Sequence, residues 1–345
     1  VARQISQATF DEAVQENIDT FDMAPEEALA DAVEQFELQG VDLSNIRKTL
    51  PEEGGRAELK IVGAVKALEA AVAGGDGDVG ACLEAVTEEL VGDAAEVGAG
   101  LAAGRNGGVE AVLSAVSSAA TEGTLLQALA ALKAVLQEVE CKDFFLARGG
   151  VKTLVEGVME AERGASVAVA EASALAVCAA ATKAEDNKLE LMKAGVGPLL
   201  IKTLPVATKA ACSALKALVS ADDPRKPAPA AFAHARWLAK DGAPLGLLTA
   251  LDTARDNGDG PLLALVCATL KCVAVNDEIC KEVEEAGGLA RVISAARAGV
   301  MHTGSGKHAL ALLRQLAGRD QNKSAILDAG GVDAALSLVQ AHAAS

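Results

Sequence analysis

Apolar residues recur along this chain at helical spacing, in blocks broken by glycine at a regular interval. The block NKLELMKAGVGPLLIKTL, residues 187–204, shows the unit. Leu189, Leu191 and Met192 place an apolar stripe on one side of a short first helix, which the Asp186-Asn187 pair is expected to cap. Ala194-Gly195 ends that helix, because glycine tolerates the left-handed backbone a helix end requires, and Val196 to Leu204 restarts as a second helix at a sharp angle. Similar corners stand at NGGVEAVLSAV, RGGVKTLVEGV, KDGAPLGLLTAL, EAGGLARVISA and DAGGVDAALSLV. Taking the last glycine of each, Gly108, Gly150, Gly195, Gly242, Gly288 and Gly331 are separated by 42, 45, 47, 46 and 43 residues. A short helix, a glycine corner, a second helix and a longer third helix at this period predict an all-α solenoid of about six units. Strictly alternating β-branched or aromatic runs are missing, so no sheet is expected.

The chain ahead of the first corner follows a different pattern. Thr9 with Glu12 reads as a capping box, followed by Phe10, Val14, Ile18 and Phe21 at helical spacing. Pro25 in a first turn, Glu26 and Glu27 behind it, then Leu29, Ala32, Val33 and Phe36 with Gly40 beyond, predict a second helix. This pair either caps the first repeat or forms a partner-binding arm. Residues 1–50 are therefore an acidic helical segment, 51–92 an irregular or degenerate first repeat, and 93–345 the regular repeats. Within 51–92, helices are expected over Ala57–Val72 and Val79–Val91, with a loop at Gly74–Asp78. The tract ADDPRKPAPAA at Ala221 reads as a longer inter-repeat loop, since its prolines forbid a continuous helix. The last unit lacks a third helix, so the full protein is expected to continue.

Composition narrows the function. Of 345 residues, 51% are apolar but only 2% aromatic, so burial rests on many small Ala, Val and Leu contacts. Net charge is −17, with −9 in residues 1–60 and −8 in the other 285. Phosphate backbones need a basic face and stacking aromatics, so nucleic-acid binding is disfavoured. Seven scattered cysteines without a CxxC read as reduced core thiols, and no metal site is expected. No apolar run is long enough to cross a membrane and no signal peptide opens the chain, which points to a cytoplasmic protein. TGSGK at Thr303 departs from a phosphate loop at Met301 and His308, so it reads as a turn and no nucleotide or other cofactor is expected. Four dispersed histidines and surface-spaced carboxylates offer no catalytic constellation, so the chain is read as not an enzyme.

The run TFDEAVQENIDTFDMAPEEALADAVEQFELQGVDLSNI, residues 9–46, closely resembles the N-terminal segment of the armadillo repeat-containing protein 6 family. CKDFFLARGGVKTLV, EDNKLELMKAGVGPLL and NDEICKEVEEAGGLARVI are similar to that family's repeats. The resemblance implies a right-handed armadillo-type α-solenoid of three-helix repeats, serving as an intracellular interaction scaffold.

Peptide-binding armadillo proteins typically present a Trp and, four residues later, an Asn from their third helices. Here the Trp-equivalent positions are read as Ala130, Ser173, Ser213, Ala268 and Ala311, and the Asn-equivalents as Ala134, Val177, Ala217, Cys272 and Gln315. Without an amide ladder an extended backbone has few donors to hold it, which counts against an importin-like transport adaptor. What recurs instead is a cation, at Lys133, Lys216, Lys271 and Arg314, with Ala176 breaking the row. These four, with Ser173 and Ser213 as small neighbours, are the expected binding stripe, facing a protein partner with an acidic helix or tail. The expected function is a non-catalytic scaffold, for which cytosolic, cytoskeletal and ciliary assemblies all stay open.

Overall fold

The computed structural model describes residues 3–21, 23–43, 46, 48, 59–74, 77–93, 95–161, 166–226, 230–299 and 303–342. The repeats begin with α3 (Lys60–Val72) and α4 (Val79–Val91). Five three-helix units follow. They are α5 (Ala99–Arg105), α6 (Gly108–Ser118) and α7 (Glu122–Val135); α8 (Val139–Ala147), α9 (Gly150–Leu154) and α10 (Val167–Ala181); and α11 (Glu185–Lys193), α12 (Val196–Thr203) and α13 (Thr208–Leu218). Next come α14 (Ala230–Lys240), α15 (Ala243–Asp256) and α16 (Gly260–Val273), then α17 (Asp277–Glu285), α18 (Gly288–Ala298) and α19 (Thr303–Leu316), and finally α20 (Asp320–Asp328) with α21 (Gly331–His342). α9 runs on as a π-helical turn, Val155–Met159.

Like helices stack on like. The third helices α4, α7, α10, α13, α16 and α19 pack in succession, and α3 packs on α6 in the place of a second helix. One continuous apolar core runs from Ile61 to Leu338. It is built mostly of Ala, Val and Leu, and small side chains let third helices pack closely.

The corners divide their work between two residues. Gly195 takes φ 79°, its N–H donates to the Met192 carbonyl, and the same residue opens α12. In the Gly-Gly corners the left-handed residue is the first of the pair, at Gly107, Gly149, Gly287 and Gly330, which corrects the marker by one position in four units. The left-handed glycines are then 42, 46, 47, 45 and 43 residues apart. The second glycine is needed for space. A Cβ on Gly150 would lie 2.2 Å from the buried Phe145 ring.

The N-terminal segment forms α1 (Gln7–Phe21) and α2 (Pro25–Leu38), plus a two-residue parallel pair, β1 (Arg3–Gln4) with β2 (Val41–Asp42), that the sequence pattern did not announce. α1 starts one turn before the expected box: the Thr9 N–H donates to the Ser6 hydroxyl at 3.2 Å. Pro25 opens α2 as expected, and Gly40 follows its end at φ 73°. Phe10, Val14, Ala28 and Ala32 form a cluster separate from the repeat core, with the Phe10 and Phe36 rings 6.0 Å apart. The pair's apolar stripes are thus buried on each other and not on the first repeat's core. An exposed ion pair, Arg105 to Glu12 at 3.8 Å, links it to α5.

Two other local expectations change. Asn187 lies inside α11, fully enclosed, and its amide donates to the carbonyls of Lys142 and Ala180 in the preceding unit. It therefore staples units together and does not cap its own helix. The tract after Ala221 also does more than connect. Lys188, with no exposed surface, donates from Nζ to Asp222 at 2.6 Å, to Glu185 at 3.3 Å and to the Ser220 carbonyl. Asp223 accepts from the Glu185 N–H at 3.1 Å and from Arg225 at 3.2 Å, while Arg225 reaches back to Asp143 at 3.0 Å. These bonds hold Asp223 down to about pKa 2 against its partial burial. Buried His234 donates from Nδ1 to the Leu218 carbonyl at 3.0 Å, and burial lowers its pKa. The loop is a polar clamp across α8 and α11.

Candidate partner-binding face

A third helix buries the side that meets its neighbours and presents a narrow stripe to solvent, so residues three and four apart on that stripe stand together. Lys133 on α7 and Arg314 on α19 are exposed, and Lys216 on α13 and Lys271 on α16 are half-buried. Among the described residues none of the four forms an ion pair. Elsewhere cations are engaged: Arg148 with Glu110 at 2.6 Å, Arg255 with Asp252 at 2.9 Å, Arg319 with Glu284.

The α10 register departs from expectation. Ser173 is buried at 1% exposure and its hydroxyl donates to the Ala170 carbonyl at 3.1 Å, so it belongs to the core and cannot meet a partner. Towards its C-terminal end the half-buried positions of α10 are Leu175 and Cys178. Cys178 precedes Ala179 (7% exposed) as Lys133 precedes Ala134 (6%) and Lys216 precedes Ala217 (7%), which makes Cys178, not Ala176, the break in the cationic row. Lys133 lies close enough to Cys178 to favour its thiolate, although burial dominates and raises the thiol. Ser213 is half-buried and its hydroxyl donates to the Lys209 carbonyl at 2.9 Å.

Two residues join the stripe that the sequence pattern hid. Thr303 to Lys307, expected as a turn, forms the first turns of α19, which brings Lys307 and His308 onto the same helix as Arg314; Met301 lies outside the described residues. His308 is half-buried, and burial, then Lys216, Lys307 and Lys271, hold its pKa below the usual imidazole value. Cations on α13, α16 and α19, helices that pack in succession, thus all act on His308. At the other end the stripe reverses sign. Glu84, Thr87 and Glu88 on α4 line a shallow pocket of about 160 Å³ with Gln127 and Ala130 on α7, and Gln127 donates to Glu84 at 2.7 Å. The i,i+7 spacing of Lys307 and Arg314 and the i,i+4 spacing of Glu84 and Glu88 were the available signals.

No cluster of three or more His, Cys, Asp or Glu among the described residues is placed to hold a metal, and no described helix is long and apolar enough to cross a membrane. All seven cysteines are free, and burial pushes the Cys141, Cys212 and Cys267 thiols up to about 12.

Known proteins account for both parts of this architecture. Residues 2–62 match the armadillo repeat-containing protein 6 N-terminal domain. Over its whole length the chain is 34% identical to armadillo repeat-containing protein 6 of Homo sapiens, spanning 71% of that protein. The chain belongs to the armadillo repeat-containing protein 6 family. The Drosophila melanogaster homolog is 29% identical over 99% of this chain and 74% of its own. Solved structures agree on the fold. An engineered protein superposes with a TM-score of 0.67 at 20% identity, covering 96% of this chain and 84% of that one. A designed armadillo repeat protein in complex with the peptide (KR)4 gives 0.59 at 16% identity, over 74% of this chain and 99% of that one. The stacked three-helix units are therefore armadillo repeats, and α3 with α4 takes the place of a repeat without its first helix.

Proposed function

We propose that this armadillo repeat chain is a non-catalytic scaffold that binds another protein along its third-helix face, with no cofactor and no nucleotide. The observation that carries this reading is the row Lys133, Lys216, Lys271 and Arg314, four cations at one repeat position that form no ion pair among the described residues, in a chain of net charge −17. The partner then presents an acidic helix or tail. Charge alone does not hold it. Exposed ion pairs contribute about 0.2 to 1 kcal/mol each, so four give at most about 4 kcal/mol, roughly millimolar affinity. Apolar contact must supply the remainder, and half-buried Ala268 and Ala311 lie on two of the cation-bearing helices, with half-buried Leu175 and Cys178 on α10 between α7 and α13.

The designed protein bound to (KR)4 holds a basic peptide. A cationic row selects the opposite sign, and no asparagine ladder accompanies it, so an importin-like adaptor that reads basic signals stands second. The scaffold reading places the protein in the cytoplasm, in a cytosolic, cytoskeletal or ciliary assembly. The test is affinity capture with mass spectrometry, repeated with Lys133→Glu, Lys216→Glu and Lys271→Glu combined. Specific partners should be lost with the variant, and the salt dependence of their binding should flatten. Unchanged capture at low and moderate salt would refute the cationic row as the binding surface.

A further inference from the structure

The third-helix face carries opposite charge at its two ends, and this deepens the reading above, on which it rests. At one end, Lys216, Lys271 and Arg314 stand on α13, α16 and α19, three helices that pack in succession, and Lys307 lies two turns before Arg314 on α19. No carboxylate pairs with any of these lysines or with Arg314 among the described residues. Like charges gathered on adjacent helices repel one another, so a row of them without internal counter-ions marks a place suited to an external anion. At the other end Glu88 has no partner among the described residues, and Glu84 has only the Gln127 amide. Between them the charges balance, with exposed Lys133 on α7 and exposed Glu171 on α10 beside the neutral Ala130, Leu175 and Cys178.

Helices stacked at about 8 to 10 Å put three steps, about 27 Å, between α4 and α13 and five steps between α4 and α19. The Debye length at physiological salt is about 8 Å, so the two ends act as separate electrostatic sites. A segment of one sign therefore engages one end only. A segment with both signs, suitably spaced, engages both and gains from the effective concentration that the first contact creates.

We propose that this face binds a partner segment of bipolar charge and fixes its direction, the acidic end lying over α13, α16 and α19 and the basic end over α4. The geometry of Glu84, Glu88, Lys216, Lys271 and Lys307 on one continuous ladder of third helices assigns it.

Three fluorescent peptides test this by anisotropy: an octaglutamate, an octalysine, and a block peptide joining the two through a glycine-serine linker long enough to span the ladder. The block peptide should bind at least tenfold tighter than octaglutamate at moderate salt. Lys271→Glu with Lys307→Glu should weaken octaglutamate at least tenfold, with Lys271→Gln and Lys307→Gln giving a smaller loss in the same order. Glu84→Lys with Glu88→Lys should remove the advantage of the block peptide. A photo-crosslinker on the glutamate block should label α16 and α19, and one on the lysine block should label α4. A block peptide no tighter than octaglutamate, or a glutamate block that labels α4, would overturn the proposal. If partner capture still depends on Lys133, Lys216 and Lys271 in that case, the scaffold reading stands and only the bipolar direction fails.

Discussion

The double-glycine corner makes a prediction in which two adjacent residues of the same type fail for different reasons. Gly149 sits at φ 73°, and a Cβ placed there would meet nothing within 4 Å. Its replacement by alanine should therefore carry only the left-handed backbone cost of about 1 to 2 kcal/mol. Asparagine, whose short amide tolerates that region, should lose less. Gly150 has an ordinary backbone, but its Cβ would lie 2.2 Å from the ring of Phe145, which is fully buried. That ring would have to retreat by about 1 Å to reach van der Waals separation, inside a core without free volume. Overpacking of this kind costs about 1 to 3 kcal/mol or more. Urea denaturation followed by far-ultraviolet circular dichroism on Gly149→Ala, Gly149→Asn and Gly150→Ala gives the order. Stability should fall least for Gly149→Asn, more for Gly149→Ala and most for Gly150→Ala, and pairing Gly150→Ala with Phe145→Leu should recover part of the loss. If Gly149→Asn destabilises as much as Gly150→Ala, the division between conformation and space is wrong.

Lys188→Met should destabilise by about 3 to 5 kcal/mol, because it leaves the carboxylates of Glu185 and Asp222 facing each other without their shared ammonium; a denaturation curve that barely moves would show that the clamp is dispensable. Stability should fall as pH drops through about 6.5, since the unfolded chain takes up a proton that buried His234 refuses, and His234→Gln should flatten that limb. A second loss should come between the ordinary aspartate range and pH 2, where Asp223, held ionised by Arg225 and the Glu185 N–H, is finally protonated; Asp223→Asn should remove it. Phe10→Ala should open the N-terminal pair to protease at residues 7–38 while the melting of the repeats stays unchanged, because the two apolar clusters are separate; a lowered repeat transition would show that the pair supports the solenoid.

The helix-corner-helix period was readable because glycine has no substitute where the backbone is left-handed, and α4 falls on Val79–Val91 as expected. What could not be read was which of two adjacent glycines turns the chain. Both positions demand glycine, one for φ and one for the Phe145 ring or its equivalents, and a sequence records the demand without its cause. The polar clamp was hidden for a related reason. Lys188 and Asp222 look like surface residues in a polar stretch, and only the fold of the loop onto α11 shows that the ammonium has no exposed surface.

The binding face shows where sequence register stops being sufficient. Apolar alanine-rich helices such as α10 have almost no amphipathic contrast to fix their register, and aligning α10 by its Trp-equivalent position puts Ser173 on the face. A buried serine that satisfies its hydroxyl on its own helix, as Ser173 does at Ala170, is as compatible with a helical core as alanine. Once exposure supplies the register, Leu175 and Cys178 fill the middle of the stripe. The consequence is functional. The gap in the cationic row is the half-buried Leu175 and Cys178 step between Lys133 and Lys216, so a partner that follows the face from α4 to α19 must change from basic to acidic along its length and set an apolar side chain over α10.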